Sequence, residues 1–413
     1  MAAAGKSALD ALCHRSCYRA IDPVDMKLPL IALLLSAATV LADPPLPDPL
    51  TLQSGAKVTS IEQWRSQRRP ELLELFRSEV YGRAPVGRPE SLSFEVVERA
   101  DNVMNGAADR KQVKIRYSGP GGEGAIHLIL FTPAAATTPS PCLLFICNRG
   151  KENIDPTRQK QSPFWPAEAM IARGYAAATF HNGDVDPDKH DGFKNGVHGI
   201  FDGPEPRKPD AWGTIAAWAW GASRVMDYLE TDRDIDQGKV VILGHSRGGK
   251  TSLWAGAQDE RFAMAVSNNS GCTGAKIARH PKGESVERIN RVFPHWFSEN
   301  YKKYNDRHDA LPIDQHELIA LMAPRPVYVA SASGDTDPEG EFLGAKYASS
   351  VYERFGLQGL GDKSYPAPGT DLGTGHIGYH LREGAHNLLE YDWERFMDFA
   401  DRHFGRTSST SSR

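Results

Sequence analysis

The sequence predicts an α/β fold, a three-layer αβα sandwich in which helices cover both faces of a mostly parallel β-sheet. Two observations support this prediction. From residue 141 onward, apolar runs of strand length alternate with helical segments, which is the order of a parallel sheet joined by crossover helices. The apolar run 239–244 also leads directly into a Gly-x-Ser-x-Gly sequence that opens a helix.

The first 42 residues have the pattern of a targeting segment. Met26 and Lys27 precede an apolar run at 28–41, and a Pro-rich stretch follows. A short basic start, an apolar centre and a small residue before the cut are typical of a signal peptide. We therefore expect residues 1–25 to be an upstream extension, Met26 to be the true start, and the protein to be secreted or periplasmic. The apolar run is too short to span a bilayer, so we expect no membrane contact after cleavage.

Residues 43–90 are predicted to form an N-terminal helical lead-in, because residues 60–82 carry apolar side chains at helical spacing. The catalytic domain is predicted to span residues 91–413. It begins with three strand-like runs, and alternation in the second run favours an antiparallel start to the sheet. These runs are 91–100, 111–119 and 125–133.

The remaining elements follow in strand–helix order. The predicted strands are 142–147, 175–181, 239–244, 262–268 and 326–332. The predicted helices are 164–173, 211–230, the segment that opens at 247, and a terminal helix after residue 386. Continuous apolar runs of this kind are buried on both faces, so helices are expected above and below the sheet.

Composition and charge restrict the possible functions. The chain of 413 residues is 40% hydrophobic and 24% charged, which is ordinary for a globular protein. Its formal net charge is −4, and the sequence has no basic stripe that could neutralise phosphates. We therefore expect no nucleic-acid partner.

No cofactor and no metal ion are expected. Removal of the leader leaves Cys142, Cys147 and Cys272, which we expect to be small buried residues and not disulfide partners or zinc ligands. The acidic loop 184–191 is unlike a calcium loop, because Lys189 stands where such a loop needs glycine. We predict a polar loop near the mouth of the site instead.

The pentapeptide 244–248, Gly-His-Ser-Arg-Gly, is the main chemical signal. Its place between an apolar strand and a helix is the setting of the nucleophile elbow of the α/β-hydrolase fold, with Ser246 as the nucleophile. Backbone N–H groups at the start of that helix can stabilise an oxyanion. We expect the Arg247 N–H to be one donor and the loop at 148–150 to supply a second.

In the α/β-hydrolase fold the acid and then the histidine follow the serine along the chain. Asp335 comes just after the strand 326–332, and His386 stands directly before the terminal helix. These two residues complete the predicted Ser–His–Asp triad. Other side chains remain candidates, namely Asp337, Glu339 and Glu341 for the acid and His376 and His380 for the base.

Longer stretches of the chain carry a resemblance to a known family. They run in order from about residue 140 to the end, and they are WGTIAAWAWGASRVMDYLETD, GHSRGGKTSLWAGAQDERFA, SNNSGC, RINRVFPHWFSENYKKY, LPIDQHELIALMAPRPVYVAS and GYHLREGAHNLLEYDWERF. On these stretches the sequence resembles the glucuronoyl esterases, carbohydrate esterase family 15, and specifically their bacterial branch. So many ordered matches are much more specific than the pentapeptide alone.

The resemblance implies hydrolysis of esters between 4-O-methyl-glucuronic acid on xylan and lignin alcohols. It also implies that the Arg247 side chain helps to stabilise the oxyanion, that Lys250 binds sugar hydroxyls, and that Glu284 is a second sugar-binding residue. Lys250 lies four residues after Ser246, on the same face of the predicted helix, so it can reach a neighbouring hydroxyl.

Two departures from the family pattern bear on substrate binding. Fungal members carry their acid in a segment where this chain has Asn268-Asn269-Ser270, so the acid role passes to Asp335, as in some bacterial relatives. Many relatives have a tryptophan two residues after the late-strand acid, and this chain lacks it. Trp296, or another aromatic residue of 273–318, is the candidate to contact the sugar in its place.

Two other functions remain open on the sequence. One is a different exported carboxylesterase, such as an acetyl-xylan esterase, which would share the triad but would not need Lys250 and Glu284. The other is a carbohydrate-binding protein with an inactive site. We expect a monomer whose partner is a glucuronoxylan or lignin–carbohydrate ester substrate.

Overall fold

The computed structural model describes residues 46–203 and 206–406. The predicted signal peptide and the proposed start at Met26 lie outside the described residues. Within the described ranges, no helix combines the length and the apolar character needed to cross a membrane. The division at residues 43–90 and 91–413 stays a prediction.

A ten-stranded mixed sheet organises the described chain, in the order β1-β2-β3-β5-β4-β6-β7-β8-β10-β9. The strands are β1 (Ser93–Asn102), β2 (Ala108–Gly119), β3 (Gly122–Pro133), β4 (Ser140–Cys147), β5 (Ala176–His181), β6 (Ile235–His245), β7 (Met264–Asn268), β8 (Val327–Ala332), β9 (Thr370–Asp371) and β10 (Ile377–Arg382). Strands β1 to β3 pair antiparallel, and β3 pairs antiparallel with β5. The ladders β5-β4-β6-β7-β8 are parallel, as the apolar runs predicted, and β10, which they did not predict, pairs parallel with β8.

Helices cover both faces of this sheet. The α-helical segments are Ile61–Gln63, Arg69–Phe76, Val103–Gly106, Ala167–Ala172, Gly196–Phe201, Thr214–Leu229, Arg247–Gln258, Val286–Val292, Gln315–Ala320, Pro338–Tyr347, Ser349–Arg354 and Glu390–His403. The π-helical turn Trp64–Arg68 joins the first two segments, and the π-helical turn Arg77–Tyr81 extends them, which gives one helical stretch at 61–81. Short 3-10 turns occur at Lys151–Ile154, Asn182–Asp184, Glu299–Tyr304 and His308–Ala310.

The apolar core divides into two clusters, one on each side of the sheet. Along β4 the buried side chains alternate: Leu144 belongs to one cluster and Leu143 and Phe145 to the other, because successive strand residues point to opposite faces. Helices Thr214–Leu229 and Arg247–Gln258 pack on the first face, and helices Ala167–Ala172 and Glu390–His403 pack on the second. This is the three-layer αβα sandwich that the sequence predicted.

The cysteines behave as the sequence analysis expected. Cys142, Cys147 and Cys272 are free and fully buried. Burial raises the pKa of the Cys147 thiol to about 12, so this group stays neutral at ordinary pH. These residues therefore act as small apolar side chains of the core.

The strand order brings four chain segments to one edge of the sheet. Strands β6, β7, β8 and β10 are neighbours and parallel, so their carboxyl ends meet at the same edge. The segments after these strands contain Ser246, Asn269, Asp335 and His386. In open α/β sheets this edge is where ligands bind.

Candidate active site

The predicted nucleophile lies on a sharp turn between β6 and the helix Arg247–Gln258, which we call the elbow helix. Ser246 has φ 58° and ψ −122°, a left-handed conformation that is strained for a residue with a side chain. Its N–H donates to the carbonyl of Asn268 at 2.8 Å. A Cβ at Gly244 would lie 2.0 Å from the carbonyl oxygen of Gly248, so only glycine allows strand and helix to approach this closely.

Asp335 and His386 meet beside this turn. His386 Nδ1 donates to Asp335 Oδ2 at 2.8 Å, across 51 residues of sequence. Burial by itself raises the pKa of Asp335, but the hydrogen bond and the charge of His386 outweigh it, and the pKa lies below its ordinary value. The ring of His386 lies 4.5 Å, between centroids, from the ring of His245, the residue that precedes Ser246. The structure thus joins His386 to Asp335 and places this pair beside the turn that carries Ser246.

The alternative histidines occupy different surroundings. His380 lies on β10 and is fully buried, with Nε2 2.8 Å from Asp392 Oδ1 and Nδ1 3.1 Å from the hydroxyl of Tyr328. The ring of His376 packs 4.8 Å, between centroids, from that of His403. Both side chains therefore belong to packing around β10 and the terminal helix.

The alternative carboxylates are also engaged elsewhere. Asp337 caps the helix Pro338–Tyr347 through the Gly340 N–H at 2.9 Å and accepts from His280 Nδ1 at 2.7 Å. Glu339 forms a surface ion pair with Lys282 at 2.6 Å.

Glu341 is buried and accepts from the Ser331 hydroxyl at 2.6 Å, and burial raises its pKa to about 7. Of these acids and Asp335, Asp335 is the one hydrogen-bonded to His386 in the described residues.

Arg247, the residue after the serine, is held by a carboxylate from the acidic loop. Its guanidinium donates to Asp188 Oδ2, and Asp188 Oδ1 also accepts from His295 Nε2 at 3.0 Å and from Trp296 Nε1 at 2.8 Å. Burial favours a higher pKa for Asp188, but these hydrogen bonds and the charge of Arg247 keep the pKa below its ordinary value. Asp188 is thus an ionised anchor that orients Arg247.

Lys250 is buried one turn further along the elbow helix. Its Nζ donates to the carbonyl oxygens of Ser270 and Cys272. Burial lowers its pKa, and the charge of Glu284 acts in the opposite direction. A Cβ built on Gly271 would lie 3.9 Å from Glu284 Oε2 and 4.0 Å from Lys250 Nζ, so the two charged groups flank the same point. The two predicted sugar-binding residues are therefore neighbours.

Trp296 packs against the side chains of Arg247 and Lys250 and is only 3% exposed. One ring face stacks on Phe293 with a centroid distance of 3.7 Å. The guanidinium carbon of Arg247 lies 4.9 Å from the ring centroid and Lys250 Nζ lies 5.9 Å from it, within the range of cation–π attraction. The structure therefore places Trp296 against Arg247 and Lys250, with little of its surface open to solvent.

The loop expected to supply a second oxyanion donor follows β4 and approaches the start of the elbow helix. A Cβ at Gly248 would lie 3.2 Å from the carbonyl oxygen of Ile146 and 3.7 Å from Asn148 Oδ1. The Arg149 guanidinium lies over the ring of Phe164, 4.1 Å from its centroid. Residues 148–150 thus lie next to the N-terminal turn of the elbow helix, on the side of β4.

Sequence reasoning missed two residues that the structure brings into the site. It treated Asp188 only as part of a polar loop near the site mouth, and it noted Asn269 only as a place where an acid is absent. Their partners lie far along the chain: Asp188 bonds Arg247 across 59 residues, and Asn269 bonds the carbonyl of Asn387 across 118. The signal that could have found Asp188 is the cluster of acids in the loop 184–191.

The mixed sheet and the strained serine at a strand-to-helix turn define an α/β-hydrolase. A family model for fungal glucuronyl esterases matches residues 163–356. A carbohydrate esterase named MZ0003, from an unknown prokaryotic organism, is 44% identical over 87% of this chain and 89% of its own length. A solved glucuronoyl esterase from Solibacter usitatus is 41% identical, with a TM-score of 0.82 over 87% of this chain and 98% of that chain.

A third similar protein is a solved esterase of carbohydrate esterase family 15 from a marine bacterial metagenome. It is 43% identical, with a TM-score of 0.80 over 87% of this chain and 97% of that chain. The chain therefore belongs to the glucuronoyl esterase family, carbohydrate esterase family 15, as the sequence analysis expected. It is accordingly a carboxylic ester hydrolase.

Proposed function

We propose that this protein is an exported esterase that hydrolyses 4-O-methyl-glucuronoyl esters linking glucuronoxylan to lignin alcohols. Ser246 acts as the nucleophile, His386 as the general base and Asp335 as the residue that orients His386. The hydrogen bond between His386 Nδ1 and Asp335 Oδ2 beside the strained serine carries this proposal. Family membership supports the substrate class, because curated relatives are 4-O-methyl-glucuronoyl methylesterases.

The proposed reaction proceeds through an acyl-enzyme. His386 Nε2 takes the proton of the Ser246 hydroxyl as Oγ attacks the ester carbonyl carbon, and the imidazolium then gives that proton to the departing alcohol. A water molecule, deprotonated by the same nitrogen, then attacks the acyl-enzyme carbonyl, and the imidazolium returns the proton to Ser246 Oγ as the bond to the uronic acid breaks. Ionised Asp335 stabilises the imidazolium in both halves of the reaction.

Charge that develops on the carbonyl oxygen is stabilised at the start of the elbow helix. The Arg247 N–H lies at the N-terminal end of that helix, where the helix dipole is positive, and the Arg247 guanidinium adds a full positive charge. Asp188 holds the guanidinium in place through its own hydrogen bonds to His295 and Trp296. The geometry is therefore set before substrate binds, which is the condition for effective electrostatic stabilisation.

Recognition of the sugar is assigned to Lys250 and Glu284. Lys250 Nζ donates to two carbonyl oxygens, so one of its three ammonium hydrogens remains for a sugar hydroxyl, and Glu284 lies close by. A cation and a carboxylate at one point offer a donor and an acceptor to vicinal hydroxyls. The Trp296 ring contacts Lys250 and Arg247 and so helps to hold the Lys250 ammonium group in place.

A broader carboxylesterase activity is the second candidate. It is favoured by one similar protein, the metagenome esterase, whose structure is described as that of a promiscuous esterase of this family. Such an enzyme would use the same triad but would depend little on Lys250 and Glu284.

The two candidates are separated by measuring kcat/KM for methyl and benzyl esters of 4-O-methyl-glucuronic acid and for 4-nitrophenyl acetate. We expect the uronate esters to be preferred. In Lys250→Met we expect KM for the uronate esters to rise about tenfold, the value of one good hydrogen bond to a charged group, with little change for the acetate. A clear preference for the acetate, with the uronate esters untouched, would refute the proposal.

Export is tested separately. The N-terminus of the protein recovered outside the cytoplasm is sequenced after expression from the full chain. We expect a first residue at about position 43, because the predicted cut follows Ala42. A mature N-terminus upstream of Met26 would contradict the predicted start.

A further inference from the structure

Asn269 joins three strand ends at the site through one side-chain amide. It directly follows β7, is 1% exposed and has a left-handed φ of 47°. Its Oδ1 accepts from the N–H of Ala332, the last residue of β8, at 2.7 Å. Its Nδ2 donates to the carbonyl of Asn387, beyond β10, at 2.8 Å.

These contacts reach each of the proposed triad segments. Ala332 precedes Asp335 by three residues, and Asn387 directly follows His386. The adjacent Asn268 accepts from the Ser246 N–H at its carbonyl, at 2.8 Å, and its Oδ1 lies 2.6 Å from His245 Nδ1. The pair Asn268–Asn269 therefore connects the serine turn to the acid loop and to the histidine loop.

The histidine loop depends on such polar contacts because it has little burial to hold it. Residues 383–386 are exposed. An exposed loop loses much conformational entropy on ordering and gains little from apolar contacts. Arg382 assists, because its Nη2 donates to Asn387 O at 2.6 Å and to Ala385 O at 3.0 Å. The carbonyl of Asn387 is thus held by two donors, one on β10 and one directly after β7.

Only an amide suits this position. The Ala332 N–H needs an acceptor and the Asn387 carbonyl needs a donor, and asparagine presents both groups in one plane. A carboxylate would accept from Ala332 but would place an oxygen against the oxygen of Asn387. An alanine would leave the Ala332 N–H without this acceptor, and the Asn387 carbonyl would keep Arg382 but lose its link to Asn269, so the two loops would no longer be joined through one side chain.

We propose that Asn269 is a positioning residue: its side-chain amide sets the separation of the Asp335 loop and the His386 loop, and so places His386 for proton transfer from Ser246. The inference rests on the proposed triad. Asn269 touches no reacting atom and acts through the backbone of its two neighbouring loops. Misplacement of a catalytic group by about 1 Å can cost about 100-fold in rate, so a single amide has a large effect here.

The test compares Asn269→Ala and Asn269→Asp with the unmodified protein and with a control, Asn300→Ala. Asn300 is a matched control because its Nδ2 donates to the carbonyl of Ser78 at 2.8 Å, joining two distant segments outside the β7, β8 and β10 strand ends. Four quantities are measured: kcat and KM, each on a uronate ester and on 4-nitrophenyl acetate, the rate at which a fluorophosphonate labels Ser246, and the melting temperature.

We expect Asn269→Ala to lose about 100-fold in kcat on both esters, with a parallel loss in labelling rate and little change in KM. Asn269→Asp keeps the acceptor for Ala332 but replaces the donor with an oxygen that faces the Asn387 carbonyl, so we expect a loss of about tenfold or more in kcat. The control keeps its kcat. Should the alanine variant fail to fold, the aspartate variant, which has nearly the same shape, decides the question.

The inference is overturned if folded Asn269 variants keep kcat and labelling rate within about twofold of the unmodified protein, a smaller change than the loss of one positioning hydrogen bond should produce. It is also overturned if Asn300→Ala loses kcat equally, since the effect would then be general. If the substrate proposal alone is wrong, the unmodified protein will still react with fluorophosphonate and cleave 4-nitrophenyl acetate, but it will not cleave uronate esters. The Asn269 variants would then be compared by their kcat on 4-nitrophenyl acetate. Failure of Ser246 to label at all would overturn both.

Discussion

Two histidine–aspartate pairs lie close together in this protein and have opposite surroundings. His386 and Asp335 are 2.8 Å apart, with side-chain exposures of 43% and 11%. His380 and Asp392 are also 2.8 Å apart, and neither side chain is exposed. The spacing of nitrogen and carboxylate oxygen is the same, so the distance alone does not distinguish a base from a structural pair.

The difference lies in the second ring nitrogen. His380 has both nitrogens engaged, since Tyr328 lies at Nδ1 and Asp392 at Nε2. His386 uses Nδ1 for Asp335, and much of the ring remains accessible beside the strained serine. A general base needs one nitrogen oriented by a partner and the other able to reach substrate. Only the exposed pair satisfies this condition.

The largest expected effect comes from removing each histidine in turn. His386→Ala should lower kcat by about 10⁶-fold, as loss of the base does in comparable triads, with little change in stability because the side chain is exposed. His380→Ala should keep kcat within about tenfold and lower the free energy of unfolding by about 2 kcal/mol, because buried hydrogen bonds are lost. Ester hydrolysis and urea unfolding measure the two effects. If His380→Ala lost activity and His386→Ala lost only stability, the base would be His380.

Replacing the two acids sharpens the same contrast. Asp335→Asn should lower kcat by about 10⁴-fold with a normal melting temperature, because the amide supports the wrong tautomer of His386. Asp392→Asn should mainly destabilise, by about 3 kcal/mol, because Arg382 loses a buried partner at 3.0 Å. Thermal melting and kcat are measured on both variants. A fully active Asp335→Asn would remove Asp335 from the triad.

A pH effect is expected at His245, the buried neighbour of the exposed pair. Burial, with the nearby charge of His386, lowers the pKa of His245 to about 3. In the unfolded chain the pKa of a histidine is about 6.5, so between these values the unfolded state binds more protons than the folded state. The free energy of unfolding should therefore fall as pH drops from about 6.5 towards 3. His245→Gln should flatten this dependence between pH 7 and 4, and equal slopes in the two proteins would contradict the assignment.

The smallest effect is expected for Tyr328→Phe. This change removes the hydroxyl that contacts His380 Nδ1 at 3.1 Å and Asp371 at 2.8 Å. We expect a loss of about 1 kcal/mol in stability, the net value of a buried hydrogen bond, with unchanged kcat on uronate esters. Urea unfolding and steady-state kinetics provide the measurements. A large fall in kcat would show that the buried His380–Asp392 pair affects catalysis.

The sequence predicted the strands and turns of the sheet correctly where they depend on neighbouring residues along the chain. The apolar runs of β4, β5, β6 and β8 mark strands buried on both faces, and the pentapeptide at 244–248 marks the turn with a strained serine. Strand β10 was not predicted, since Ile377–Arg382 contains His380 and Arg382, which do not read as an apolar run. Those polar side chains are tolerated in the core because both form hydrogen bonds with Asp392, a pairing that cannot be seen without the fold.

By itself, the sequence determined the order of the strands from β1 to β8, the turn at Ser246, the family, and a short set of candidate acids and histidines. These follow from periodicity, local turn chemistry and residue type, which depend on neighbours along the chain. The tertiary structure alone decided which candidates meet. Asp335 reaches His386, Asp188 reaches Arg247 and Asn269 reaches Asn387. The physical reason is that parallel strands collect their carboxyl ends at one edge, so residues distant in sequence share hydrogen bonds only once the sheet has formed.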